Sequence, residues 1–339
     1  MLRIILRLAI VVLIASLPFP VCASAPDDGE RAAWRAMSWR QSHDVRQGPE
    51  TSEKIVNRFK VGASGSIDIS NVSGRIVVSA GGTDTIVVEA TKRVRSRGGD
   101  AKGQLERAVV TMTGHGGRVE VRTSYSGRES RASVDYAVTA PAGTSVYAHS
   151  VSGDIRVTAV KGEVQVESVS GDVDVESAPG ATHVKTVSGD ASVSGVSNRD
   201  ELSVSTVSGT VTVSGARVRS LDAESVSGDV RLRGIEAERV TASSVSGGLE
   251  FDGALARSGR YEFRSQSGDV RLALAGATGF EIDAGTFSGN IRCDLPVTAR
   301  VNGAGGGRSS RHTLRGLSGD GSAQLSLRSF SGDITVARK

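Results

Sequence analysis

The chain has 339 residues, 42 of them glycine, with 41 Lys and Arg against 37 Asp and Glu and only two cysteines. That near-balance of charge argues against nucleic acid or anionic lipid as the main partner. Two cysteines exclude a disulfide framework.

The first residues carry an export signal. Arg3 and Arg7 precede an apolar run from Leu8 to Leu17, and Ala23-Ser24-Ala25 forms a small-residue cleavage site. The run is too short for a membrane span and is closely followed by Pro18 and Pro20. Cys22 lies inside this segment, and Phe19-Pro20-Val21 before it lacks the small residue of a lipoprotein signal, so no lipid anchor is expected. Residues 1–25 are read as a signal peptide whose removal leaves 39 basic against 37 acidic residues and one cysteine, Cys293. Residues 26–60 are polar and hold both Trp34 and Trp39; they read as a linker or N-terminal cap, with a short amphipathic helix over residues 32–40 as the second option.

From about residue 61 a repeat takes over. Val-Ser-Gly-Asp stands at Val151–Asp154, Val169–Asp172, Val187–Asp190 and Val226–Asp229. Variants carry Gly74, Gly209, Gly247, Gly268, Gly289 and Gly332. From Gly153 through Gly171, Gly189 and Gly228 to Gly289, successive glycines lie 18, 18, 20, 19, 19, 21 and 21 residues apart. A fixed period near twenty marks a solenoid, in which no repeat buries its apolar face alone.

Counted from each glycine, apolar residues fill the columns at minus seven (Val164), minus five (Val166), minus two (Val169), plus two (Val173) and plus four (Val175). Spacing by two means strands, and the β-branched content agrees. The predicted fold is all-β: a single-chain parallel β-helix with 18–21 residues and two main strands per coil. Its coils are irregular over residues 79–145, regular over 146–295 and irregular again over 296–339. All five columns are expected to point inward, which places Phe251, Tyr261, Phe263, Phe287 and Phe330 in the core. Cys293 falls in the plus-four column and reads as a small buried hydrophobe. The glycines Gly74 to Gly332 are expected to form a turn ladder in a positive-φ conformation. The Ser and Thr at minus three, from Ser150 to Ser329, are expected to satisfy backbone groups at that bend.

Two side-chain sets are candidates for chemistry. Glu262 and Asp283, outward at minus six, are expected on adjacent coils with the spacing of a glycosidase acid pair, although Arg264 shares their face. Asp154, Asp172 and Asp190 stack like charges that calcium would relieve; the plainer reading is a turn residue bonding its own backbone. His43, His115, His149, His183 and His312 show no metal-ligand spacing with each other or with Cys293.

Ile67 to Ile76, Thr85 to Arg93, Val138 to Thr144 and the Ser-Val-Ser-Gly-Asp series together resemble the bacterial putative-adhesin family of β-strand-repeat domains, over roughly residues 58–339. The resemblance implies a β-helix on an exported protein, and brings no catalytic motif with it. The expected function is a non-enzymatic exported scaffold, periplasmic or at the cell surface. It would bind protein or glycan at the cell envelope, with no cofactor, no nucleic acid and no stable membrane anchor. The alternatives are a periplasmic partner of a membrane sensor or regulator, and a polysaccharide-active β-helix enzyme using Glu262 and Asp283.

Overall fold

The computed structural model describes residues 50–95, 100–127, 131–198, 200–276, 278–299 and 312–339. The expected signal peptide, both tryptophans, His43 and the helix considered for residues 32–40 lie outside the described residues. The N-terminal part holds β1 (Glu50–Lys60), β2 (Ser66–Ser73), β3 (Ile76–Ala80), β4 (Thr85–Arg95), a short helix α1 (Ala101–Arg107), β5 (Ala108–His115), β6 (Arg118–Tyr125) and β7 (Ser133–Ala140).

Two-armed repeats follow. They comprise β8 (Ser145–Ser152) and β9 (Ile155–Thr158), β10 (Val164–Ser170) and β11 (Val173–Glu176), β12 (Ala181–Ser188) and β13 (Ala191–Ser194), and β14 (Glu201–Ser208) and β15 (Val211–Ser214). Beyond them β16 (Arg217–Ser227), β17 (Val230–Ser246), β18 (Leu249–Ser267) and β19 (Val270–Ala275) continue the pattern in longer, bent strands. The end is β20 (Phe280–Ser288), β21 (Ile291–Cys293), β22 (Thr298–Ala299), β23 (Thr313–Ser318), β24 (Ala323–Ser331) and β25 (Ile334–Arg338).

The chain is all-β and solenoid-like. Strands before the glycine pair in parallel, each with its equivalent one repeat on: Val164 lies against Val146, and Ser168 against Ser150. Strands after the glycine form a second parallel ladder, in which Val173 lies against Ile155 on one side and Ala191 on the other. The ladders meet at the glycine corner. There Gly171 N–H donates to Ser188 O and Gly189 N–H to Ser208 O, at 2.9 and 3.0 Å.

Stacking order departs from chain order at both ends. At the C-terminal end β24 lies between β18 and β20, and β25 between β19 and β21. The last repeat of the sequence therefore fills a layer that the chain had skipped. At the other end β2 lies between β6 and β8, and β3 between β7 and β9. Antiparallel strands cover the outermost layers: β5 on β6, β4 on β7 with β1 outside it, and β23 on β20. Residues 50–60 are thus an edge strand, which accounts for the C-terminal part of the segment read as linker or cap.

The core differs from the expected one in two columns. Positions minus seven, minus five, plus two and plus four are buried through the regular repeats, except the half-buried Thr182, Ile291 and Cys293, but minus two is not: Val151 and Val169 are each 50 % exposed. Strand alternation is the cause. With Val164, Val166 and Ser168 pointing in, Val169 has to point out. Position plus seven takes its place, where Val160, Ala178, Val196, Ala216 and Ile235 are buried. The minus-three hydroxyls are buried as well. Thr186, Thr206, Ser225 and Ser244 donate to the carbonyls of Gly171, Gly189, Gly209 and Gly228, each at 3.1 Å. Cys293 is only half-buried because β21 belongs to an end layer, and burial raises its thiol pKa.

The corner glycines are required twice over. Gly74, Gly153, Gly171, Gly189, Gly209, Gly228, Gly268, Gly289 and Gly332 have φ between 115° and 156°, and Gly247 is the one member of the expected ladder outside the positive-φ set. In addition, a Cβ on Gly209 would overlap the carbonyl of Gly189 in the next layer. Gly215 separates the two requirements, since its φ is +60° and nothing lies within 4 Å of where its Cβ would be. We expect Gly215→Ala to lower unfolding free energy by about 1 kcal/mol and Gly209→Ala by about 3 kcal/mol or more, because strain and overlap combine. Chemical denaturation of the two variants checks this; equal losses would show that the close approach between layers is unimportant.

Candidate functional site

The outward minus-two column makes the most distinctive surface of the molecule. In spatial order it runs Val72, Val151, Val169, Val187, Val207, Val226, Val245, Gln266, Phe330, Phe287. The pairing of the minus-three and minus-one neighbours holds these residues in line, as where Ser168 meets Ser150 and Ser170 meets Ser152. The valines are 38–50 % exposed, Phe330 56 % and Phe287 73 %. At one layer per 4.8 Å or so, the ridge is on the order of 40 Å long.

Its two ends differ. At the C-terminal end Phe287 and Phe330 stack with ring centroids 4.9 Å apart and planes within 2° of parallel. They stand on β20 and β24, neighbours only because the chain fills its skipped layer. These two rings were expected inside; they are the most exposed large apolar side chains on the ridge. At the opposite end a hollow of about 680 Å³ lies beside Val72, Val151, Val169 and Val187, lined also by Arg122 and His149. Glu167 stands at its rim, 3.5 Å from His149 and 3.7 Å from His183.

Sequence reasoning missed this ridge by equating apolar with inward. Parity was the available signal: minus seven, minus five and minus three share a face, and minus two cannot.

The aspartates after the corner glycines bond the next layer's backbone, not their own. Asp172 N–H donates to Asp154 Oδ1 at 3.2 Å, Asp190 N–H to Asp172 Oδ1 at 2.9 Å, and Thr210 N–H to Asp190 Oδ1 at 2.7 Å. Charge stacking is relieved in this way by donated hydrogen bonds. Arginines serve the column elsewhere, with Arg231 on Asp229 and Arg271 on Asp269, both at 2.6 Å. Among the described residues no group of three or more His, Cys, Asp and Glu is placed to hold a metal ion.

Glu262 and Asp283 are not on adjacent layers. Ser326 of β24 lies between them, opposite Glu262 on one side and Asp283 on the other. Both are neutralised. Glu262 pairs with Arg264. Arg328 grips Asp283 with two nitrogens, Nη2 on Oδ2 at 2.7 Å and Nη1 on Oδ1 at 3.1 Å, and Arg315 Nε adds a third contact at 3.1 Å. The bond from Arg328 holds the Asp283 carboxyl below the usual carboxylate range. A glycosidase general acid needs the opposite shift. The pair reads as surface charge balance.

Stacked parallel arms and a glycine corner define an all-β, solenoid-like repeat protein with an exposed apolar ridge along its stacked layers. Residues 66–337 match the Toastrack DUF4097 family model, and the chain belongs to that family. No curated protein matches the chain. Among solved structures it is similar to a putative adhesin from Bacteroides fragilis, at 11 % identity and TM-score 0.41 over 84 % of this chain and 97 % of that one. A putative lipid binding protein from Parabacteroides distasonis aligns at 11 % identity and TM-score 0.47, over 85 % and 97 %. A putative cell adhesion protein from Clostridium sporogenes aligns at 9 % and 0.24, over 85 % and 100 %. Likenesses this distant carry no functional argument.

One carboxylate departs from the balanced surface. Asp222, outward on β16, has a buried Oδ1 without a hydrogen-bond partner. Partial burial, followed by the nearby charges of Glu224 and Glu201, pushes its pKa up to about 6. An acid raised in the folded state destabilises it above that value, and the penalty disappears below the unfolded pKa near 4. Asp222→Asn should therefore raise the melting temperature at pH 7.5, with the gain shrinking as pH falls from about 6 to about 4. Thermal melts across that range check this; a gain that grew toward acid would overturn the assignment.

Proposed function

We propose that the chain is an exported, non-enzymatic scaffold of the cell envelope, a single-chain β-helix whose valine ridge is its contact face for protein. The carrying observation is an internal control. Two outward columns run through the same layers. Plus three holds Arg156, Asp174, Ser192, Thr212, Arg231 and Glu250, so an outward site in these layers is polar and takes either charge. Minus two is apolar in every glycine-corner layer but that of Gln266. Packing does not require this, since the column is exposed. A contiguous apolar surface on an otherwise polar exterior marks an interaction site.

Aliphatic character favours protein over glycan. Sugar rings stack on aromatic faces, and seven of the ten ridge positions are valine. The expected signal peptide supports export, and the resemblance to adhesin-type repeats supports contact as the role. No helix among the described residues is long and apolar enough to cross a membrane.

The triple variant Val169→Ser/Val187→Ser/Val207→Ser should fold normally, since all three positions are outward. It should lose the envelope proteins that the wild type captures from extract, whereas Glu262→Gln/Asp283→Asn should retain them. Capture unchanged by the serines would overturn the ridge as contact face, and glycan cleavage abolished by the acid pair would overturn the non-enzymatic reading.

A further inference from the structure

We propose that the ridge is covered by a second copy of this chain, the two ridges running antiparallel. Each Phe287/Phe330 pair then seats in the hollow beside the partner copy's Val72, Val151 and Val169. This rests on the ridge being a protein contact face, and it names the partner.

Spacing is the first reason. Ridge side chains repeat at the layer separation, about 4.8 Å, and a second copy offers the same repeat, so that every rung of one ridge meets a rung of the other. Shape is the second. The ridge carries a projecting aromatic stack at one end and a hollow of about 680 Å³ at the other. A two-fold axis lying across the ridge brings each projection to a hollow, twice over, as a self-complementary interface requires. Parallel pairing would set Phe against Phe and leave both hollows empty.

Register and charge are the third. Matching the ends places Val72 opposite the second copy's Phe287, Val151 opposite Phe330, Val169 opposite Gln266, Val187 opposite Val245, and Val207 opposite Val226. The same axis turns the minus-four column onto itself. Glu167 then faces Arg264, the one oppositely charged pair in this column, while Lys185 faces Ser243, Glu224 faces Ser205 and His149 faces Arg328. Size is the fourth reason. The ridge offers apolar surface on the order of 700 Å², near the roughly 800 Å² per partner of a standard interface and above the largest patch of an ordinary monomer. A bilayer fits less well, because the ridge is one residue wide and flanked by serines, Glu167 and Lys185.

Sedimentation of the purified protein over a wide concentration range should show a reversible dimer. Phe287→Ser/Phe330→Ser and, independently, Val151→Ser/Val169→Ser should weaken it roughly tenfold or more, with melting temperatures near wild type. Register is read by oxidation in a Cys293→Ser background. Val151→Cys mixed with Phe330→Cys should form a crossed disulfide, while neither variant links to itself. Self-links without crossed links, or a dimer insensitive to both serine pairs, would overturn the antiparallel ridge pairing. A monomer at every concentration would overturn the second copy as occupant. In that case the triple serine variant still distinguishes the readings: lost capture leaves the ridge as a face for another protein, and unchanged capture removes that as well. Two further outcomes also count against the proposal. One is ridge-dependent flotation of a monomer with anionic phospholipid vesicles. The other is dimerisation only after residues 26–47 are deleted, which would make that segment the occupant.

Discussion

The structure depends on how closely successive layers approach at the glycine corner. In every layer but the last, that of Gly289, the corner N–H donates to a serine carbonyl of the next layer and the corner carbonyl sits where a Cβ from that layer would otherwise stand. From this contact the rest follows. It fixes the register of both ladders, and it forces the chain to turn at the same point in every repeat. It also leaves a spare carbonyl lone pair for the buried minus-three hydroxyl, so that Thr186, Thr206, Ser225 and Ser244 are inside because the corner supplies them with an acceptor. The outward valine is then a geometric consequence, since the residue between an inward hydroxyl and the turn has nowhere else to point.

Much of this was legible in the sequence. The period, the glycine column and the paired apolar columns gave the stacked two-armed repeat. Side-chain identity misled where it conflicted with parity. Valine at minus two reads as core, yet it points out and the minus-three hydroxyl beside it points in, because a buried hydroxyl with a partner costs little and alternation is a covalent constraint. Phe287 and Phe330 were misplaced for the same reason. The plus-seven column breaks the step of two: Val160, Ala178 and Val196 stand three residues past plus four, just after a turn with positive φ at Ala159, Ser177 and Gly195, so no run of alternation flanks them.

Layer order was not legible at all. Sequence repeats imply that neighbours in the chain are neighbours in the stack, and nothing in the residues between Cys293 and Ala323 announces that a layer is skipped and later filled. The physical sense is clear once it is seen. A solenoid that simply stops leaves two parallel edge strands open to pairing with other chains. Here the first and last repeats of the chain are interior layers, and antiparallel strands cover the layers outside them. This also explains why Glu262 and Asp283 failed as a pair: their expected adjacency assumed an order of layers that the end of the chain breaks.

The filled layer has a consequence for the surface as well. Had the repeats stacked in chain order, Phe287 would have followed Gln266 and Phe330 would have stood beyond whatever the intervening residues made. Insertion of β24 moves Phe330 between Gln266 and Phe287, and two rings far apart in sequence become one flat stack at the tip of the ridge. Capping and binding are therefore coupled. The return of β24 into the skipped layer also builds the most exposed apolar feature among the described residues, at the end opposite a hollow lined by the same column of valines. A surface with a knob, a hollow and a common spacing between them carries its own direction, which a uniform row of valines would lack.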